Sequence, residues 1–163
     1  MKVQYRRRRE NKTDYGKRIK LLKSEKPRVV FRRTNKYLIV QYVTSSEAQD
    51  KVVFGLNSKN LVEYGWPKTA EGSLKSTTAS YLTGYLTGKK IQKEKLETPI
   101  IDFGMARVLH KTKLFAFIKG LIDSGLEIES SKEEAFPEED RLNGEHLKNK
   151  IDISKIKTNL EKL

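Results

Sequence analysis

Residues 101–104, Ile-Asp-Phe-Gly, spell the tripeptide with which protein kinases hold magnesium, and Met105-Ala106-Arg107 follows them. That chemistry also needs a glycine-rich loop, a strand lysine in a Val-Ala-Ile-Lys setting and a His-Arg-Asp loop. The sequence contains none of the three. Gly84-Tyr85-Leu86-Thr87-Gly88-Lys89 has the look of a phosphate-binding loop. Its glycines stand four apart rather than five, however, and Lys90 occupies the place of the Ser or Thr that would bind magnesium. His110 and His146 are the only histidines, far apart in the chain, and read as surface or turn residues rather than metal ligands. The absence of cysteine excludes a disulfide framework, a thiolate nucleophile and a Cys-based zinc site. Asp102 is the one acid that falls inside a predicted core element. Magnesium-dependent cleavage of RNA wants several carboxylates converging on the metal, and a single buried acid more often neutralises a basic neighbour. A small RNA-processing nuclease using Asp102 is therefore the weaker alternative.

The residues with positive support are cations. Of 163 residues, 34 are Lys or Arg and 21 Asp or Glu, a formal net charge of +13. Residues 1–36 hold 15 of the cations and 3 of the acids, so this leader carries +12 and the remainder +1. Such a segment repels itself in isolation and attracts a polyanion. Arg6, Arg7, Arg8, Arg9, Lys12, Arg18, Arg28, Arg32 and Arg33 offer donors for phosphate, the arginines with planar forks that also stack on bases. Tyr5, Tyr15 and Tyr37 interleave with them, as suits unstacked RNA bases, although Tyr15 reads equally well as the first apolar residue of a helix. Duplex DNA is less attractive, because no helix presents a base-reading face and no dimerisation heptad is visible. A membrane surface is disfavoured too, since the Arg6–Arg9 run has no bulky apolar anchor beside it. The longest apolar run, residues 114–118, is far too short to span a bilayer. A solubilising tail and a polyanion chaperone without a preferred RNA remain as bland readings.

The elements that must carry these residues can be read from periodicity. Residues 1–12 read as a disordered basic arm, polar and without period. A helix starts at Thr13 or Asp14, either able to cap it, with Tyr15, Ile19 and Leu22 on one face, and Pro27 ends the segment. Residues 28–33 and 37–43 form a β-hairpin around Thr34-Asn35-Lys36. Val29 and Phe31 share one face of its first strand, with Arg28, Val30 and Arg32 on the other. A third strand fits residues 52–56. Ser76 or Thr77 caps a helix reaching about Ile91, in which Gly84 and Gly88 imply close approach of another backbone. Residues 99–103 make a buried strand, and residues 114–125 carry the strongest helical period in the chain. The order β-β-β-α-β-α gives an α/β fold: a three-strand antiparallel meander plus a crossover strand in one mixed sheet, with helices packed on it. Residues 127–145 turn acidic and read as a linker, and residues 151–163 as a short helix with Ile156, Leu160 and Leu163 on one side. The expected organisation is residues 1–27 as basic arm and short helix, 28–126 as α/β core, and 127–163 as acidic linker and helical extension. A soluble, intracellular protein is expected.

Specific stretches also match a known family. Residues 13–28, Thr-Asp-Tyr-Gly-Lys-Arg-Ile-Lys-Leu-Leu-Lys-Ser-Glu-Lys-Pro-Arg, resemble the N-terminal signature of an archaeal or eukaryotic-type ribosomal protein. The family is the universal large-subunit protein eighteen, which binds 5S ribosomal RNA. Arg32-Arg33-Thr34-Asn35-Lys36 resembles its strand–turn–strand. Residues 119–128 resemble its last core helix, and Glu139-Asp140-Arg141-Leu142-Asn143-Gly144-Glu145-His146 a C-terminal block of the archaeal and eukaryotic branch. Residues 129–131, Glu-Ser-Ser, depart from the Pro-His common in archaeal relatives, and residues 105–113 carry fewer glycines than the family does. The resemblance implies a structural constituent of the large ribosomal subunit in the cytoplasm, seated in the central protuberance beside 5S RNA. Its arm would thread between 5S and large-subunit (23S) RNA, ordering only on binding, with large-subunit protein five as a neighbour. No reaction, cofactor, membrane or small-molecule substrate is implied. With the resemblance, Asn35, Lys36 and Tyr37 at the hairpin turn join the arginines, Lys12 and Tyr15 as expected RNA contacts.

Overall fold

The structure, a computed structural model, describes residues 3–47, 49–128, 133–145 and 151–163. His146 and the departure at residues 129–131 lie outside these residues.

Four strands form one mixed sheet in the order β3-β2-β1-β4. β1 (Arg28–Arg33) and β2 (Leu38–Ser46) make the expected hairpin, with Arg33 opposite Leu38, and β3 (Gln49–Asn57) adds antiparallel to β2. β4 (Ile100–Asp102) lies parallel to β1, Val29 opposite Ile101. The alternation in β1 is as read. Val29 and Phe31 are fully buried and join Leu38, Val40, Tyr42 and Phe54 on the face that receives the helices. Toward its turn the β2–β3 ribbon runs longer than the hydrophobic pattern suggests. The ladder continues through Thr44–Lys51, Ser45–Asp50 and Ser46–Gln49, polar pairs that no apolar alternation reports.

Two helices cover that face, α3 (Thr77–Lys93) and α4 (Lys113–Asp123). Of the two candidate caps for α3, Ser76 serves, its hydroxyl accepting from the Ala79 amide. Of the two glycines of α3, Gly84 admits a neighbouring backbone, while Gly88 makes room for the Ser124 side chain. A Cβ on Gly84 would run into the carbonyl of Phe117, and one on Gly120 of α4 into the carbonyl of Tyr81. Reciprocal glycines thus let the two helices cross with backbones in contact. Packed against the sheet, α4 and the C-terminal helices, α3 is buried around most of its girth rather than on one stripe. Its buried Thr83 and Thr87 hydroxyls donate to the carbonyls of Ala79 and Thr83 one turn earlier, which makes their burial tolerable.

The link from β3 to α3 consists of two 3-10 turns, Ser58–Val62 and Lys68–Ser73, pinned by buried Trp66, whose indole donates to the Ala70 carbonyl. A short helix, α5 (Glu139–Leu142), precedes α6 (Ile153–Glu161). In α6, Ile153, Ile156 and Leu160 enter the same hydrophobic cluster as the sheet and α3, and Leu163 packs against it. The Asn159 amide donates to the carbonyl of Tyr64, and the Tyr85 hydroxyl to Glu161. Burial, then the Glu161 carboxylate, pushes the Tyr85 phenol up to about 12.

The N-terminal segment corrects one expectation. Residues 6–9 are not irregular but form a helical turn, α1 (Arg6–Arg9), ahead of α2 (Tyr15–Leu22). Short-range contacts explain the order. The Tyr5 and Tyr15 rings meet at 5.1 Å, Arg7 Nε donates to Thr13 Oγ1 at 2.9 Å, and Arg8 reaches Asp14. Asp14, one of the two expected caps, accepts from the Lys17 amide at the start of α2.

Candidate nucleic-acid interface

The opposite face of the sheet holds the charged residues. Arg28, Val30 and Arg32 on β1 share it with Asp102 on β4, since Val30 stands opposite Asp102 in the parallel register. Asp50 near the start of β3 faces Ser45 of β2 across the ribbon. The side chains link into one alternating chain. Arg18 Nη1 of α2 lies 2.9 Å from Asp50 Oδ2, and Asp50 Oδ1 accepts from Arg28 Nη2 at 2.7 Å. Arg28 Nη1 stands 3.7 Å from Asp102 Oδ2, which pairs with Arg32 Nη2 at 3.2 Å. Arg32 Nη1 also donates to the carbonyls of Asp102 and Phe31, and Asp102 Oδ1 accepts from the Gly104 amide. Gly104 holds a φ of +61°, and its bare Cα leaves room for the Arg32 guanidinium. Burial alone would raise the pKa of Asp50. Hydrogen bonds from Arg18 and Ser45 and the charges of Arg28 and Arg18 outweigh it, and the carboxyl sits below the usual aspartate value.

This arrangement removes one residue from the expected contact set. Arg28 is 2% exposed, and its guanidinium is committed to Ser45, Asp50 and Asp102. A buried, internally neutralised arginine presents no donor to a phosphate outside. Alternation placed it on the correct face, but nothing local in the sequence tells that this end of the face is closed. The same geometry shows what Asp102 does. Its carboxylate neutralises Arg28 and Arg32, and Asp50 meets it only through Arg28. Among the described residues no three acids or histidines stand close enough to hold a metal ion.

The other expected contacts fall into two groups. Around the N-terminal segment, Arg6 and Arg9 face solvent, the Arg6 side chain being 78% exposed while it pairs loosely with Glu10. Lys12 also meets Glu10, at 2.8 Å. Arg7, Lys12, Lys17, Arg18 and Arg32 border one cleft, and Lys12, Arg32 and Arg33 a second, floored by Phe31, Phe103 and Leu114. Lys12 and Arg32 belong to both, so cations remote in sequence meet on one continuous surface. Tyr15 is half-buried against Tyr5, whose own ring is largely exposed.

At the hairpin turn, the Thr34 amide and hydroxyl donate to the Tyr37 carbonyl, and the Tyr37 amide donates back to that hydroxyl. The closed turn leaves Asn35 and Lys36 exposed. Tyr37 is half-buried, with Lys59 Nζ 4.2 Å from its ring centre, so one ring face already carries a cation.

The sequence reading did not include Lys17, Lys59, Lys75 and Lys113. Lys113, at the first turn of α4, has its pKa lowered by burial and then by the positive charges of Arg33 and Lys75. Arg33 and Lys75 are thus the cations whose charge reaches Lys113. Lys17 lies within the basic leader, whereas Lys59, Lys75 and Lys113 lie outside it.

A protein-family model described as "Ribosomal large subunit proteins 60S L5, and 50S L18" matches residues 1–99, which span the leader, the hairpin and α3. A large ribosomal subunit protein uL18 of Korarchaeum cryptofilum is 45% identical over 146 residues, covering 90% of this chain and 72% of its own length. Proteins of the same name from Methanosphaera stadtmanae and Methanoregula boonei are each 43% identical, over 90% and 89% of this chain and 73% and 80% of theirs. With a family model matched over more than half of its length and archaeal relatives at this identity, the chain belongs to the family of large-subunit ribosomal proteins 60S L5 and 50S L18 and is a constituent of the large ribosomal subunit.

Proposed function

We propose that the chain is a structural, non-catalytic component that binds 5S ribosomal RNA, with 23S RNA and large-subunit protein five as neighbours in the central protuberance. One observation carries this reading: cations of the N-terminal segment and of β1, remote in sequence, border two adjoining clefts. The proposed contacts are Arg6, Arg7, Arg8, Arg9, Lys12, Tyr15, Arg18, Arg32, Arg33, Asn35, Lys36 and Tyr37. Lys17, Lys59, Lys75 and Lys113 join them from the structure, and Arg28 leaves the set. Arginines serve here by their planar forks. The proposed arrangement into residues 1–27, 28–126 and 127–163 separates an RNA-facing leader from its support. Cell extract fractionated on a gradient tests the role. Co-sedimentation of the protein with large subunits, and with 5S RNA after the subunits are dissociated, is the expected result. Recovery only in the unbound fraction, or with RNA of every kind, would overturn it.

A further inference from the structure

We propose that Asp50 is a positioning residue for RNA binding: with Arg28 and Asp102 it fixes the guanidiniums of Arg18 and Arg32, and docks the basic N-terminal segment on the sheet before RNA arrives. The inference rests on the RNA-binding reading above and gives a role to acids that a phosphate-binding surface would otherwise be better without.

Apolar packing of α2 is shallow, with Leu21 and Leu22 only half-buried beside Arg28 and Ser45. None of its residues is buried, and Ile19 on its apolar side is 53% exposed. Two polar contacts reach from α2 to the body: Arg18 to Asp50, and Lys17 Nζ to the Gly104 carbonyl at 3.3 Å. Asp50 in turn is oriented from three sides, by Arg18, by Arg28 and by the Ser45 hydroxyl at 2.7 Å. The chain of five charges therefore runs from α2 across β3 and β1 to β4, anchored in its middle by an Arg28 side chain that is 3% exposed. Burial at the centre limits screening by salt, so the clasp keeps its strength where surface pairs lose theirs. Its two ends are open. The side chains of Arg18 and Arg32 remain 33% and 43% exposed. Asp50 takes one nitrogen of the Arg18 fork, while Arg32 donates through Nη1 to two carbonyls and through Nη2 to Asp102, so both partly exposed guanidiniums hold an orientation set before binding. Ordering these long side chains in advance lowers the entropic cost of meeting a phosphate.

The test turns on sign. Removing an acid near a polyanion site strengthens attraction if charge alone matters. In the full chain, Asp50→Asn is expected to weaken binding of 5S RNA about tenfold despite the added positive charge, the scale of one lost charge-assisted hydrogen bond. Glu47→Gln, the same charge change at an exposed acid in the adjacent turn, should leave affinity unchanged or raise it. Without RNA, trypsin should cut after Arg18, Lys20 and Lys23 faster in Asp50→Asn than in wild type, with Asp50→Glu restoring protection. Should Asp50→Asn fail to fold, Ser45→Ala keeps every charge and is expected to shift both readouts in the same direction, about twofold. Equal or tighter RNA binding together with unchanged cleavage would overturn the proposal. A wild-type protein that does not bind 5S RNA would overturn the RNA reading itself, while the cleavage rates would still decide whether Asp50 docks the segment.

Discussion

Arg28 shows at the scale of one residue how a correct pattern yields a wrong role. Strand alternation separates it from Val29 and Phe31, and composition makes it look like one more phosphate donor. Its partners Asp50 and Asp102 come from other strands, and pairing across a sheet leaves no local mark. The ion chain has consequences for stability. Asp102→Ala leaves Arg28 buried with half of its neutralisation, and should cost about 3 kcal/mol, read from urea unfolding. Asp50, held below the ordinary aspartate value of 3.8, binds its proton less readily in the folded chain than in the unfolded one. Its contribution is therefore intact above that value and fades as pH falls through the lowered one. Asp50→Asn should flatten the acid limb of the stability-against-pH curve while changing its alkaline limb little. An acid limb identical to wild type would show that the carboxylate is not clasped.

Elements were legible where apolar period or cap chemistry marks them. β1 lies where its Val, Phe and Arg alternation puts it, and α4 where its repeat of Leu114, Phe115, Ile118, Leu121 and Ile122 does. Strand ends made of Thr, Ser, Gln and Asp ran longer than read, because backbone pairing along the ribbon carries them without apolar help. The first turn of the leader was missed for a related reason: four arginines supply no period, and what supports the turn is Tyr5 on Tyr15 and Arg7 on Thr13. The glycines of α3 could be flagged by cost alone, but that Gly84 answers Phe117 and Gly120 answers Tyr81 required the crossing itself. Gly84→Ala would set a methyl against a carbonyl that cannot move without its helix. The expected loss is about 3 kcal/mol, seen as a lowered urea midpoint with an unchanged slope. Gly72→Ala, in the open turn before α3, should stay within about 0.5 kcal/mol of wild type.

For the whole molecule, the sequence located the charge and the structure decides how much of it is usable. A leader of +12 on a body of +1 reads as an arm aimed at RNA. The folded chain spends Arg28 internally and ties up part of the donors of Arg18 and Arg32. No described helix is long and apolar enough to cross a membrane. The central claim, binding of 5S RNA through this surface, is tested most directly by titrating the full chain with 5S RNA at several salt concentrations. Wild type should bind 5S RNA more tightly than unrelated RNA of equal length. Its log affinity should fall against log salt with a slope of about −0.7 to −0.9 per neutralised phosphate, and Arg6, Arg9 and Lys36 replaced together by Gln should reduce that slope by about two to three. A flat salt response, or equal affinity for the unrelated RNA, would contradict the account.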